Sequence, residues 1–171
     1  MRFLIGLILG FCIIPALIYI YFDYGYAPVA TAADPIPFEK KLANAALHAR
    51  MNREYPRVLP FRATDADLQK AAHLYREHCA ICHGLPAQEK TPTAKGMFPA
   101  PPQLFQGKGV TDDEPGETYW KVANGIRLSG MPAYKGPLSD QDMWSVSQLL
   151  AGADKLPEDV KALLNQPIHE Q

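Results

Sequence analysis

Cys79-Ala80-Ile81-Cys82-His83 is the stretch on which the reading of this chain turns. Thiols separated by two residues, with an imidazole directly after the second, form the attachment signature of a c-type haem. Each thiol is spaced to add to one vinyl group of the macrocycle, and the His that follows falls where a ring nitrogen can ligate iron. Other uses of Cys-x-x-Cys compete with this one. A thioredoxin-like dithiol needs a preceding strand and a βαβ surround, and half of a zinc site needs a second ligand pair downstream. The sequence offers neither: residues before Cys79 carry a helical pattern, and the remaining cysteine, Cys12, lies far upstream in an apolar run.

With His83 on one face of the iron, the other face needs its own occupant. Met51, Met97, Met131 and Met143 are the thioethers available besides Met1. Met131 is the best placed, because Ser129-Gly130-Met131-Pro132 reads as a loop in which Gly130 permits close backbone approach and Pro132 fixes the chain direction. Met97, in Gly96-Met97-Phe98-Pro99, is the competitor. Met143 sits on a helical face suited to packing, and Met51 precedes the haem region.

Cys79 to His83, then Tyr119-Trp120-Lys121-Val122-Ala123-Asn124-Gly125-Ile126-Arg127, then Gly130-Met131-Pro132 resemble, in that order, the motifs of class I c-type cytochromes, the mitochondrial-cytochrome-c-like family. The resemblance spans about residues 64 to 153 and leaves residues 1–60 outside it. It implies a small all-α domain wrapped around one covalently bound haem c. Cys79 and Cys82 would carry the haem, His83 and Met131 would be its axial ligands, and one haem edge would lie near solvent. The pathway served is left open.

Composition bounds the rest. A chain of 171 residues with 47% hydrophobic residues and a net charge of -1 is one modest domain plus extensions, without the basic excess of a nucleic-acid binder. Its 16 prolines argue for a loop-rich domain, which a haem makes feasible by supplying buried apolar surface of its own.

Phe3 to Phe22 form an apolar run of about 20 residues, about 30 Å as a helix, which matches the hydrocarbon core of a bilayer. Tyr19, Tyr21, Tyr24 and Tyr26 supply an aromatic belt at its end, and Arg2 marks the cytoplasmic side. The expected placement is a single-pass protein of the bacterial inner membrane, N-terminus cytoplasmic and haem domain periplasmic. That orientation agrees with covalent haem attachment, which in bacteria occurs on the outer face of that membrane. A cleaved signal peptide competes, since Ala30-Thr31-Ala32 offers small residues for cleavage, but the apolar run exceeds the usual h-region and the site lies well beyond it. Cys12 reads as a small hydrophobe in lipid.

The expected organisation is an anchor over 1–26, a linker and basic helix over 27–62, a cytochrome c domain over 63–153 and a dispensable tail over 154–171. The basic helix runs from Phe38 to Glu54 and ends at Tyr55-Pro56. Residues 35–62 hold six basic and two acidic side chains, whereas residues 63–171 hold ten and fourteen. The basic segment reads either as a contact for anionic headgroups or a partner subunit, or as a solvated spacer.

Within the haem domain, Thr64-Asp65-Ala66-Asp67 reads as a capping box, and Leu68, Ala71, Ala72, Tyr75 and Cys79 recur at helical spacing. That helix aims the cysteines. Pro86, Pro92, Pro99, Pro101 and Pro102 exclude a long helix after Gly84, so the segment is expected to fold on the haem with Phe98, Leu104 and Phe105 against it. A helix follows from Pro115 to Asn124, ended by Gly125. On and after it, Trp120 and Arg127 are the candidate partners of a haem propionate, through a ring N-H and a guanidinium respectively. Ser139-Asp140-Gln141-Asp142 opens a further helix with a second capping box, and Pro157-Glu158-Asp159 opens a short one.

A haem closed by His and a thioether has no open coordination position, so its useful chemistry is Fe(II)/Fe(III) cycling. The expectation is a non-catalytic, membrane-anchored electron carrier working between protein redox partners. A permanent cytochrome subunit of a larger dehydrogenase or oxidase is one alternative; a haem sensor or enzyme in which Met131 dissociates is another.

Overall fold

The computed structural model describes residues 2–105 and 113–167, apart from the side chains of Arg2, Phe3 and Ile5. Among the described residues the regular structure is helical, with no strand: α1 (Arg2–Asp23), α2 (Glu39–Glu54), α3 (Asp65–His78), α4 (Ala80–His83), α5 (Pro92–Lys95), α6 (Pro115–Asn124), α7 (Asp140–Ala151) and α8 (Glu158–Leu164). The chain divides into two compact units, residues 1–42 and 43–171.

The first unit is dominated by α1. Its stretch Gly6–Asp23 is long and apolar enough to cross a membrane, and none of it is buried within the protein. Phe11, Ile14 and Leu17 have their apolar surface exposed.

The second unit is built on α3, α7 and α8. Thr64 caps α3 as its sequence promises: its hydroxyl accepts from the Asp67 N-H, and the Asp67 carboxylate accepts from the Thr64 N-H. At the start of α7, Ser139 accepts from the Asp142 N-H while its hydroxyl donates to the Asp142 carboxylate, which also pairs with Lys70 at 2.6 Å. That ion pair joins α7 to α3. Ala71 and Ala72 on α3, both fully buried, keep its surface low so that Val146 and Leu149 of α7 can approach closely. α6 lies on α7 through Val122, Ala123 and Met143, and Tyr119 stacks on Trp144 with ring centroids 4.4 Å apart.

Two stretches expected to lie outside the domain are part of it. The segment after residue 153 is no dispensable tail: α8 buries Val160 and Leu164 in the core with Tyr75, and Arg76 donates to the carbonyls of Leu163, Gln166 and Pro167. The segment before residue 63 is more than a spacer. Met51, which the sequence placed merely ahead of the haem region, is 1% exposed, and Tyr55 is buried as well. Gly116 of α6 lets the chain at Pro56 come so near that an added Cβ would stand 1.9 Å from the Pro56 carbonyl oxygen. Ala63 N-H donates to Gln148 of α7 at 3.0 Å, completing a strap across the domain.

Candidate haem site

The site starts where α3 ends. Cys79 N-H still donates to the Tyr75 carbonyl, and the Cys79 carbonyl then accepts from both Cys82 and His83, so α4 is a single turn wound directly off α3. Cys79 and Cys82 thereby stand three residues apart on one turn, the spacing of side-chain neighbours. Both are free thiols. Burial pushes the Cys79 thiol up to about 12, with the neighbouring Cys82 adding to the effect. An activated redox dithiol needs a stabilised thiolate, and this environment does the reverse. No group of three His, Cys, Asp or Glu side chains among the described residues is arranged to hold a zinc ion.

His83 Nδ1 lies 2.8 Å from the Pro102 carbonyl oxygen. Nδ1-H donates there, which leaves the lone pair on Nε2 and fixes the ring. Burial lowers the His83 pKa, opposed in part by the Pro102 carbonyl, so the imidazole is held in the neutral form that ligates metals.

A cavity of about 160 Å³ is lined by Cys79, His83 and Met131 together. Leu104, Val122, Ile126, Val146 and Leu150 give it apolar walls from four parts of the chain. Met131 is delivered by a tightly bonded loop. Gly125 leaves α6 at φ +65, where a side chain would be strained and its Cβ would come 2.7 Å from the Ala133 nitrogen. Ile126 N-H donates to the Met131 carbonyl at 3.1 Å, and Ser129 Oγ donates to the Ile126 carbonyl while accepting from Met131 N-H. Beyond Met131, Tyr134 and Lys135 donate back to the carbonyls of Val122 and Ala123, laying the loop on α6.

The other sequence candidates sort differently. Met97 is not in the cavity wall; its methyl lies against Gly130, where a Cβ would meet it at 2.0 Å, so it packs on the loop that carries its competitor. Leu104 lines the cavity, Phe105 packs edge-on against Tyr75 at 5.0 Å, and Phe98 is 41% exposed and outside it. Trp120 gives its ring N-H to Glu54 at 3.2 Å, and Arg127 is exposed; neither lines the cavity. The polar wall is made instead by Thr118, Lys121 and Asp113, which the sequence reading missed. The spacing of Thr118, Lys121 and Val122 was the available signal, since residues three and four apart share a helix face. Tyr134 was missed too, and nothing local in the sequence marks it.

The donor set suits a haem: Cys79, an imidazole with a free Nε2 and the Met131 thioether line one largely apolar cavity, with the Cys82 thiol on the same turn as Cys79 but outside the cavity wall. Residues 66–150 match the family described as cytochrome C oxidase, cbb3-type, subunit III. A chain of the reducing HAO-like protein complex of Kuenenia stuttgartiensis is similar at 25% identity with a TM-score of 0.47, the likeness covering 60% of this chain and 52% of that one. The likeness thus reaches over about half the length of that structural relative. No curated protein matches the chain. The helical fold, the cysteine-histidine turn and the match over residues 66–150 make this chain similar to c-type cytochromes, a likeness that points to haem c and to electron transfer.

Proposed function

We propose that this cytochrome is anchored by α1 in the bacterial inner membrane and carries single electrons between protein partners on the periplasmic side. Cys79 and Cys82 would hold one haem c covalently, and His83 and Met131 would supply the ligands to its iron. The observation that supports this most is the single cavity to which Cys79, His83 and Met131 all contribute.

Bound haem c supplies one-electron Fe(II)/Fe(III) cycling. The chain's own residues decide how that cycling behaves. His83, oriented through Pro102, presents Nε2 without rearrangement. Met131 brings a soft thioether, which raises the potential by favouring the reduced state. Leu104, Val122, Ile126, Val146 and Leu150 exclude water, so the extra charge of the oxidised state is poorly solvated, which favours reduction in the same direction. With His83 and Met131 both engaged on the iron, neither oxygen nor substrate would find an open position. Arg2 at the start of α1 and the tyrosines at its end support the inward N-terminus and outward haem domain.

Mass spectrometry of the denatured chain, matured in cells with haem-attachment machinery, tests the reading. The expected result is one added haem that is lost in Cys79→Ala/Cys82→Ala, and a reversible one-electron titration of the native protein. A wild-type chain carrying no haem mass would sink it. A second reading is supported by the description of the matched family, which names an oxidase subunit: the chain would then be a permanent member of such a complex. Mild solubilisation and sizing separate the two, since a subunit migrates with its partners and a carrier alone.

A further inference from the structure

The cavity is apolar over most of its wall, and its remaining polar side chains are gathered on one side. Tyr75 lines it, but its hydroxyl is engaged by the Gly84 carbonyl at 2.8 Å. That leaves Thr118, Lys121 and Asp113 as the described polar lining residues outside the donor set. Thr118 and Lys121 stand one turn apart on α6, beside Val122. The helix therefore offers a hydroxyl and an ammonium on the face that also supplies apolar wall. The Lys121 side chain is only 22% exposed, and its Nζ is 2.5 Å from Oδ2 of Asp113, which is 48% exposed. An ammonium drawn this far out of water against an apolar cavity calls for anionic partners, and Asp113 approaches it from the wet side.

We propose that Lys121 and Thr118 form the carboxylate-binding site of this cavity: Lys121 holds a haem propionate and keeps Asp113 as its outer partner, with the Thr118 hydroxyl as a second donor. The assignment rests on the haem reading above. It replaces Trp120, whose N-H is committed to Glu54, and Arg127, which stands outside the wall. A propionate is an anion that must come to rest near the mouth of an apolar pocket, and a charge-assisted bond from a partly desolvated Lys is the strong way to hold one. The charge also acts on the iron. Lys121 offsets the negative field of the propionate and so favours the reduced state, and Asp113 acts with the opposite sign.

The test uses the full chain matured with its haem, in wild type, Lys121→Met, Lys121→Arg, Asp113→Asn, Trp120→Phe and Arg127→Gln. Haem content per chain is read first, because a wild type without haem defeats the haem reading and this inference with it, whereas loaded variants test Lys121 alone. The midpoint potential is read next. Lys121→Met is expected to lower it by about 59 mV, a tenfold change in a one-electron equilibrium. Asp113→Asn is expected to raise it, Lys121→Arg to restore it, and Trp120→Phe and Arg127→Gln to leave it in place. Potentials unchanged in both Lys121→Met and Asp113→Asn, with thermal stability lowered equally, would reduce the pair to a structural ion pair and overturn the proposal. A downward shift in Trp120→Phe or Arg127→Gln in place of Lys121→Met would also overturn it. If Lys121→Met does not accumulate, Asp113→Asn decides: an upward shift supports the site and no shift refutes it.

Discussion

The hydroxyl of Tyr134 donates to the backbone carbonyl of His78 across 2.8 Å. That bond ties the loop that delivers Met131 to the residue just before Cys79, so the two walls proposed to grip the iron from opposite faces are fastened to each other. Burial raises the Tyr134 pKa, and Cys79 and Cys82 add to it, so the hydroxyl stays protonated and able to donate.

Tyr134→Phe should therefore do two things. It should cost about 1 kcal/mol of stability, the usual net worth of one hydrogen bond. It should also free the Met131 loop, so that the reduced protein takes up carbon monoxide faster than wild type. Denaturant unfolding and stopped-flow mixing measure these separately, and a variant that loses stability with no gain in uptake would show that the bond does not restrain the loop.

The strap from residue 43 to 62 should be needed for stability. Met51 is fully enclosed, and Met51→Ala should cost about 2–5 kcal/mol, the range for truncating a buried apolar side chain. A chain beginning at residue 63 should unfold at lower denaturant than one beginning at 43. Equal midpoints would make the strap ornamental.

Acid should weaken the contact of α3 with α7. Hydrogen bonds from Thr64 lower the Asp67 pKa, and at Asp142 the bonds and charge of Lys70 with those of Ser139 outweigh burial and lower it too. Both carboxyls thus hold protons less tightly folded than unfolded, so they contribute stability above the ordinary Asp pKa of about 4, and that stability is lost as pH falls through their lower folded values. The share of the unfolding free energy carried by these two carboxyls should be level above about pH 5 and drop below it. Asp142→Asn should flatten that acid limb; an unchanged limb would remove the Lys70–Asp142 pair as its cause.

The parts of this molecule that were legible in its sequence are those whose chemistry is local. The proposed attachment needs Cys79, Cys82 and His83 on one turn, which α4 forms, and the Thr64 box is complete within four residues, so both local structures could be read in place. Met131 stood out because glycine and proline around it describe a loop. What stayed hidden depends on partners remote in the chain. An indole or a guanidinium suggests a propionate by type, yet which face of α6 meets the cavity is set by Glu54 and Pro56 taking the other side, and this turns Trp120 away and Lys121 inward. Met97 met Gly130 rather than the cavity for a similar reason. The strap and α8 each bury only a few side chains, too few to give a clear period, and their value appears once Tyr75 and α6 are there to receive them.

Electron transfer at a closed site requires that Met131 close the iron. The most direct measurement is the near-infrared spectrum of the oxidised protein, with carbon monoxide binding to the reduced form, in wild type, Met131→Ala and Met97→Ala. A thioether-to-ferric-haem band in wild type and Met97→Ala that vanishes only in Met131→Ala, together with carbon monoxide taken up readily by Met131→Ala alone, is the expected result. A wild type that lacks the band and binds carbon monoxide at neutral pH, or a band that disappears in Met97→Ala and survives in Met131→Ala, would contradict it.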